Sequence, residues 1–186
     1  MSGEASHPPD VLRGHARRIV DAGAAAGVLL RLAGGLGVLA RARDLGGLDL
    51  SGRPFHDIDL VGRLRDVRRH DDLFGRLGYE PDRAVNAQFG TVRRVYHHPD
   101  GFHVDVFVDR LEFCHRIDLD GRLELHPTTL TPADLLLSKL QIIERNRKDL
   151  VDAALLFLNF DLVPGDPSAI ELDRILAVTA DDWGFH

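Results

Sequence analysis

The segment that most constrains this chain is Asp57-Ile58-Asp59-Leu60-Val61, in which acids and aliphatics alternate. Period two sends successive side chains to opposite faces of a strand, so Ile58 and Leu60 enter a core. Asp57 and Asp59 then share the other face, about 7 Å apart along the backbone. Aspartate is disfavoured in strands, so two of them among aliphatics mark a face under special demand. Asp105 has a similar setting in Val104-Asp105-Val106-Phe107-Val108, on a later predicted strand. If the two strands pair, three carboxylates converge. Two unit charges about 5 Å apart at an effective dielectric of about 20 repel by about 3 kcal/mol. Such a cluster requires a divalent cation or raised pKa values, and an all-oxygen donor set points to Mg²⁺ or Mn²⁺ over zinc. The plainer alternative leaves Asp57 and Asp59 on a solvated strand face, with Asp105 one more exposed acid.

Upstream, Val28-Leu29-Leu30-Arg31-Leu32-Ala33 reads as a buried strand running into Gly34-Gly35, and residues 36–43 as a short helix. Glycines at such a junction let the backbone approach a ligand, and the first N–H groups of the helix can hold phosphate oxygens. A simple tight turn would use the same residues. The segment is neither G-x-G-x-x-G nor a P-loop, because no Gly-Lys-Ser/Thr follows.

Residues 1–9 read as a disordered lead-in ended by Pro8-Pro9. A helix capped by Asp10 follows, with Leu12, Ala16, Ile19 and Val20 at helical spacing, and it stops at Gly27. The Gly-rich stretch 44–54 is a loop, and residues 67–77 form a helix closed by Gly78. Strands are expected over 85–89 and 93–97, joined at Gly90, and over 103–108 after the Pro99-Asp100-Gly101 turn. A further turn at 118–121 precedes Leu123 to Leu125. Thr131-Pro132-Ala133-Asp134 opens a helix running to about Glu144, a second covers 147–159, and a last short one covers 168–178. This order implies an α/β (α+β) fold with a mixed sheet, followed by a helical C-terminal region.

The chain has 186 residues and a net charge of −6, which argues against a general nucleic-acid coat. The basic run Arg63, Arg65, Arg68 and Arg69 is the local exception, readable as an RNA contact or as a solvated face. Cys114 is the one cysteine, so no disulfide framework is expected and a reducing cytoplasm is the natural compartment. A polar stretch from Met1 to Asp10, and no run of about 18 apolar residues, speak against secretion and membrane spanning. The ten histidines include no H-E-x-x-H spacing, so a zinc hydrolase is disfavoured, as is a Cys114 nucleophile.

A strand, Gly-Gly and a helix, then Asp-Ile-Asp on the next strand and a third Asp on a later one, resemble the nucleotidyltransferase fold of the polymerase-β-like superfamily. The chain looks most like its bacterial minimal and abortive-infection-type toxin members. The residues carrying the likeness are Gly34-Gly35, Arg53, Asp57-Ile58-Asp59-Leu60, Lys139 and Arg147-Lys148-Asp149-Leu150-Val151-Asp152, spanning about Leu30 to Leu158. The chain departs from the pattern at Leu36, where a small polar residue is usual. It departs again in spacing, because Asp57 comes 22 positions after Gly35.

After the disordered lead over 1–9, the resemblance implies a nucleotidyltransferase α/β domain over 10–126 and a helical part over 127–186 packed on it. It implies Mg²⁺-dependent (or Mn²⁺-dependent) transfer of a nucleoside monophosphate from a nucleoside triphosphate to a hydroxyl acceptor. That acceptor is a small molecule, a protein or an RNA end. Asp57, Asp59 and Asp105 would be the catalytic metal ligands. Gly34, Gly35, Arg53, Lys139 and Lys148 would bind nucleotide. Lys139 reads equally well as part of a wet stripe with Ser138 and Gln141, and Lys148 as a helix-surface charge. Arg41 and Arg43 could face phosphate or solvent. Two alternatives stand beside this reading: a toxin nucleotidyltransferase acting on tRNA, and a catalytically retired nucleotide-binding module.

Overall fold

A computed structural model describes residues 7–48, 50, 53, 55–142, 144 and 146–180, so most of the expected lead-in lies outside the described residues. The elements run α1 (Pro9–Ala25), β1 (Leu30–Leu32), α2 (Gly34–Arg41), β2 (Asp57–Gly62), α3 (Val67–Arg76), β3 (Glu80–Pro81), α4 (Arg83–Phe89) and β4 (Arg93–His97). They continue with β5 (His103–Val108), β6 (Arg110–Glu112), β7 (Arg116–Asp118), α5 (Pro132–Leu140), α6 (Arg147–Asn159), β8 (Leu162–Val163), β9 (Ile170–Glu171) and α7 (Leu172–Thr179). Among the described residues no helix is long and apolar enough to cross a membrane.

The main sheet has the order β1-β2-β5-β4-β3. β2 and β5 are its parallel neighbours, and the other pairings are antiparallel. A parallel pair needs a long crossover, which the chain supplies with α3, β3, α4 and β4. The even-numbered Ile58, Leu60, Val104 and Val106 are fully buried. Their face also carries Tyr96, whose ring stacks on Phe74 of α3 at 3.9 Å. The odd-numbered face holds the acids, with α2, α5 and α6 in contact with one another nearby.

Several local expectations need correction. Residues 85–89 are helix α4, not a strand. Asp82 caps it by accepting the Val85 N–H at 3.0 Å. Asn86 then bonds the Val95 backbone twice, accepting its N–H at 2.7 Å and donating to its carbonyl at 3.1 Å. These polar contacts lay α4 against β4, which short-range alternation does not foresee. α1 starts at Pro9 with Asp10 in its first turn and no side-chain cap. α5 stops at Leu140, four residues short of the expected end. α6 has the expected span, opened by an unforeseen capping box in which Asn146 and Asp149 satisfy each other's backbone N–H groups. The β6–β7 hairpin escaped notice because its strands are three residues long and mostly charged. Residues 123–125 fall in turns, and Ile170–Glu171 joins β9 before the last helix starts at Leu172.

Beneath the sheet, His70 of α3 is fully buried, and neither ring nitrogen finds a hydrogen-bond partner among the described residues. Its ring fills the space below Gly62, where an added Cβ would sit 3.1 Å from Cε1. Burial first, then the nearby Arg94 charge, lowers its pKa to about 4. Between pH 6.5 and 4 the unfolded chain therefore takes up a proton that the folded protein refuses. Stability should fall by about 1.4 kcal/mol per pH unit over that window as the solution is acidified. Thermal melts from pH 7 to 4 should show a flatter decline for His70→Leu than for wild type, and parallel declines would contradict this assignment.

Candidate functional site

The register of β2 against β5 sets Asp57 beside His103 and Asp59 beside Asp105. All four residues leave the same face of the sheet. β1 ends on this face, where Gly34 at the start of α2 has φ +57°. A Cβ there would lie 2.0 Å from Oδ2 of Asp59, so glycine is required both for the backbone turn and for the carboxylate beneath it. Although part of Asp59 reaches solvent, its carboxyl is enclosed. Burial, followed by the charges of Asp57 and Asp105, pushes its pKa up to about 7.

Asp105 is buried and goes the other way. Burial opposes its charge, but the His103 ring, 3.7 Å from Oδ2, and the hydrogen-bonded Arg93 hold its pKa below the usual carboxylate range. Arg93, diagonally across on β4, donates from Nε to Oδ1 at 3.1 Å and from NH2 to Oδ2 at 2.7 Å. Sequence reasoning missed both Arg93 and His103. The period-two pattern of His103-Val104-Asp105 was the available signal for the histidine, since it puts residue 103 on the acid's face.

Lys139 is not on a wet stripe. Its side chain is 12% exposed, and its ammonium lies 3.0 Å from Asp152 Oδ2 and 3.3 Å from Asp149 Oδ1. Burial disfavours its charge, yet Asp152, Asp149 and Asp59 together carry its pKa above the ordinary lysine value. Asp152 in turn accepts from Arg53, whose NH2 lies 3.0 Å from Oδ2 and whose guanidinium stacks over Phe55 at 4.8 Å. A Cβ on Gly35 would touch both Arg53 and Asp152. The structure thus brings Gly34, Gly35, Arg53, Asp57, Asp59, Asp105 and Lys139 into one neighbourhood, with Asp149 and Asp152 behind it. Lys148 is exposed at the start of α6, and its backbone N–H bonds Asn146. Arg41 stacks over Phe160 at 5.2 Å and donates to the Ser168 carbonyl at 3.4 Å.

The basic run is partly committed elsewhere. Arg63 pairs with Glu124, and Arg69 pairs with Asp66 while donating to the carbonyls of Ala26 and Gly27. Beyond the far end of β2 lies a cavity of about 900 Å³ lined by Arg63, Arg65, Arg110 and Arg116. Arg110 and Arg116 are paired with Glu112 and Asp118 at 2.7 and 2.9 Å, so the cavity is largely self-neutralised.

The donor set on the carboxylate face suits a cation. Atoms of Asp57, His103 and Asp105 lie within 4.8 Å of one another. Five acids, Asp57, Asp59, Asp105, Asp149 and Asp152, meet three permanent cations, Arg53, Arg93 and Lys139. Two negative charges remain, and after burial it is the repulsion of Asp57 and Asp105 that raises the pKa of Asp59.

Strand order, glycine turn and carboxylate face together define an α/β fold of the nucleotidyltransferase type. No protein-family model and no curated protein matches the sequence. Among solved structures, the antibiotic-resistance factor ANT(2'')-Ia aligns with a TM-score of 0.56 at 14% identity, covering 92% of this chain and 89% of that one. An antigenic nucleotidyltransferase-like protein from Paracoccidioides brasiliensis aligns with a TM-score of 0.53 at 17% identity, covering 95% of this chain and 88% of that one. The lincosamide antibiotic adenylyltransferase LnuA, with lincomycin bound, gives 0.47 at 15% identity over 75% of this chain and 92% of that one.

The Asp59 carboxyl supplies a direct test of this electrostatic arrangement. With a folded pKa near 7 and an unfolded value near 3.8, the folded state keeps a proton that the unfolded state loses, so stability falls as pH rises between those values. In metal-free protein, Asp59→Asn should melt close to wild type at pH 4 and several degrees above it at pH 8, at about 2–4 °C per kcal/mol for a chain of this size. Equal melting temperatures at pH 8 would mean that Asp59 carries no electrostatic penalty.

Proposed function

We propose that the protein is a Mg²⁺-dependent nucleotidyltransferase that moves a nucleoside monophosphate from a nucleoside triphosphate to a hydroxyl acceptor. The observation that carries this reading is the surplus of buried negative charge on the β2–β5 face, set directly beneath a glycine turn. Asp57, Asp59 and Asp105 would hold the cation, with His103 at the edge of the set. Bound there, Mg²⁺ supplies Lewis-acid polarisation of the α-phosphate and neutralises charge building on the pyrophosphate.

The chain's own groups do the rest. The first-turn N–H groups of α2, at Gly34, Gly35 and Leu36, have no side-chain cap and are offered to phosphate oxygens. Leu36 is buried, so no hydroxyl contributes there. Arg53 and Lys139 line the same approach and complement a polyanion, while Asp152 fixes both cations in place. Asp105 orients the acceptor hydroxyl. Its low pKa makes it a better ligand and hydrogen-bond acceptor than a store of protons. The acceptor oxygen then bonds to the α-phosphorus as the bond to pyrophosphate breaks, and the hydroxyl proton passes to solvent. A net charge of −6 weighs toward a small acceptor over a polynucleotide.

A second reading, a retired nucleotide-binding module, is favoured by Leu36 and by the grip of Arg93 on Asp105. Pyrophosphate release from nucleoside triphosphates, measured with Mg²⁺ and a panel of hydroxyl compounds, separates the two. Turnover should require Mg²⁺ and fall about 10³-fold in Asp57→Asn and Asp59→Asn, as expected for loss of several kcal/mol of charge stabilisation. Nucleotide binding without turnover, unchanged by either substitution, would contradict catalysis and support the module.

A further inference from the structure

A second group of ligating side chains lies on the other side of the sheet. Alternation along β4 puts Tyr96, and beyond it His98, on the face opposite Asp105. There His98 stacks on Phe102 at 4.6 Å, and His15 of α1 meets the same phenyl edge-on at 4.9 Å. The two imidazoles are 4.6 Å apart, and Asp100, in the turn between β4 and β5, lies 3.4 Å from His98 Nδ1. His15, His98 and Asp100 each present a ligand atom, all within 4.8 Å of one another.

We propose that His15, His98 and Asp100 bind a divalent transition-metal cation, of which Zn²⁺ is the natural probe, and that this ion clips α1 to the β4–β5 hairpin. Two imidazoles and a carboxylate suit Zn²⁺, Ni²⁺ or Cu²⁺ and are poor partners for Mg²⁺. The site is therefore chemically distinct from the carboxylate face. Tetrahedral bonds of about 2.0–2.1 Å place ligand atoms about 3.3 Å apart, so closure needs shifts of about an ångström in partly exposed side chains.

The surroundings prepare the ligands. The Tyr79 hydroxyl lies 2.8 Å from His15 Nδ1 and fixes the ring, leaving Nε2 as the ligating atom. His7 meets the edge of the same Phe102 ring at 5.3 Å, and its buried Nε2 has no hydrogen-bond partner among the described residues. The opposing feature is Arg18, whose Nη2 is 2.9 Å from His15 Nδ1 and 3.4 Å from Nε2, the ligating atom itself. That side chain is exposed, one turn along the same helix, and free to swing into water when a cation arrives.

The test is calorimetric titration of the full chain with Zn²⁺ in saturating Mg²⁺ without nucleotide, paired with thermal melts. Wild type should bind Zn²⁺ and melt about 5 °C higher at a concentration about 100-fold above Kd. His98→Ala should abolish that shift, Asp100→Asn should weaken binding about 10-fold or more, and Arg18→Ala should tighten it. Asp57→Asn should leave it unchanged. Because Asp100 is exposed, its substitution keeps the test valid if His98→Ala does not fold. No Zn²⁺-dependent stabilisation of wild type would overturn the proposal. So would binding that survives in His98→Ala and Asp100→Asn but disappears in Asp57→Asn, which would assign the ion to the carboxylate face.

Discussion

Like charges held together by strand register govern this structure. Parallel pairing of β2 and β5 places Asp59 directly beside Asp105, with Asp57 two residues along and a glycine turn pressed onto the Asp59 carboxylate. A sheet with this register cannot relax the repulsion by sliding, because a one-residue slip would send Ile58 and Val104 to the polar face. The surrounding elements answer the charge instead. Lys139 from α5, Arg53 from the loop before β2 and Arg93 from β4 converge on the acids, and Asp149 and Asp152 of α6 hold the lysine between them. The fold thus serves here as a device for concentrating negative charge under the uncapped backbone N–H groups of α2.

Compensation is uneven, and the unevenness divides the labour among the acids. Asp105 is satisfied by Arg93 and His103 and stays ionised, whereas burial, then the charges of Asp57 and Asp105, raise the Asp59 pKa to about 7. An arriving cation therefore changes the state of Asp59 more than that of Asp105. Arg93, at the surface end of its pair with 45% of its side chain exposed, can give way at little cost. The arrangement behaves as a face waiting for positive charge, not as a finished salt-bridge network.

Much of this was legible from residues alone, and the failures have physical causes. Alternating acids and aliphatics at 57–61 and 103–108 identified two strands and which side chains each would turn away from the core. Their being neighbours was not readable, since register depends on a crossover of some forty residues. Lys139 remained ambiguous because its partners, Asp149 and Asp152, lie on another helix, and only the packing of α5 against α6 makes it buried. Residues 85–89 went wrong because the decisive bonds run from Asp82 and Asn86 to backbone groups, a side-chain effect that hydrophobic period does not encode. The histidine cluster was invisible for a similar reason: His15 and His98 stand 83 positions apart, whereas short metal-binding motifs set their ligands about one helical turn apart.

The most direct measurement is a crystal grown with Mn²⁺ and a non-hydrolysable nucleoside triphosphate, read by anomalous scattering. The charge argument predicts a peak within bonding distance, about 2.2 Å, of carboxylate oxygens of Asp57, Asp59 and Asp105, with the triphosphate under the first turn of α2. A carboxylate face without anomalous density, Arg93 still closed on Asp105 and the nucleotide bound elsewhere or absent, would contradict it.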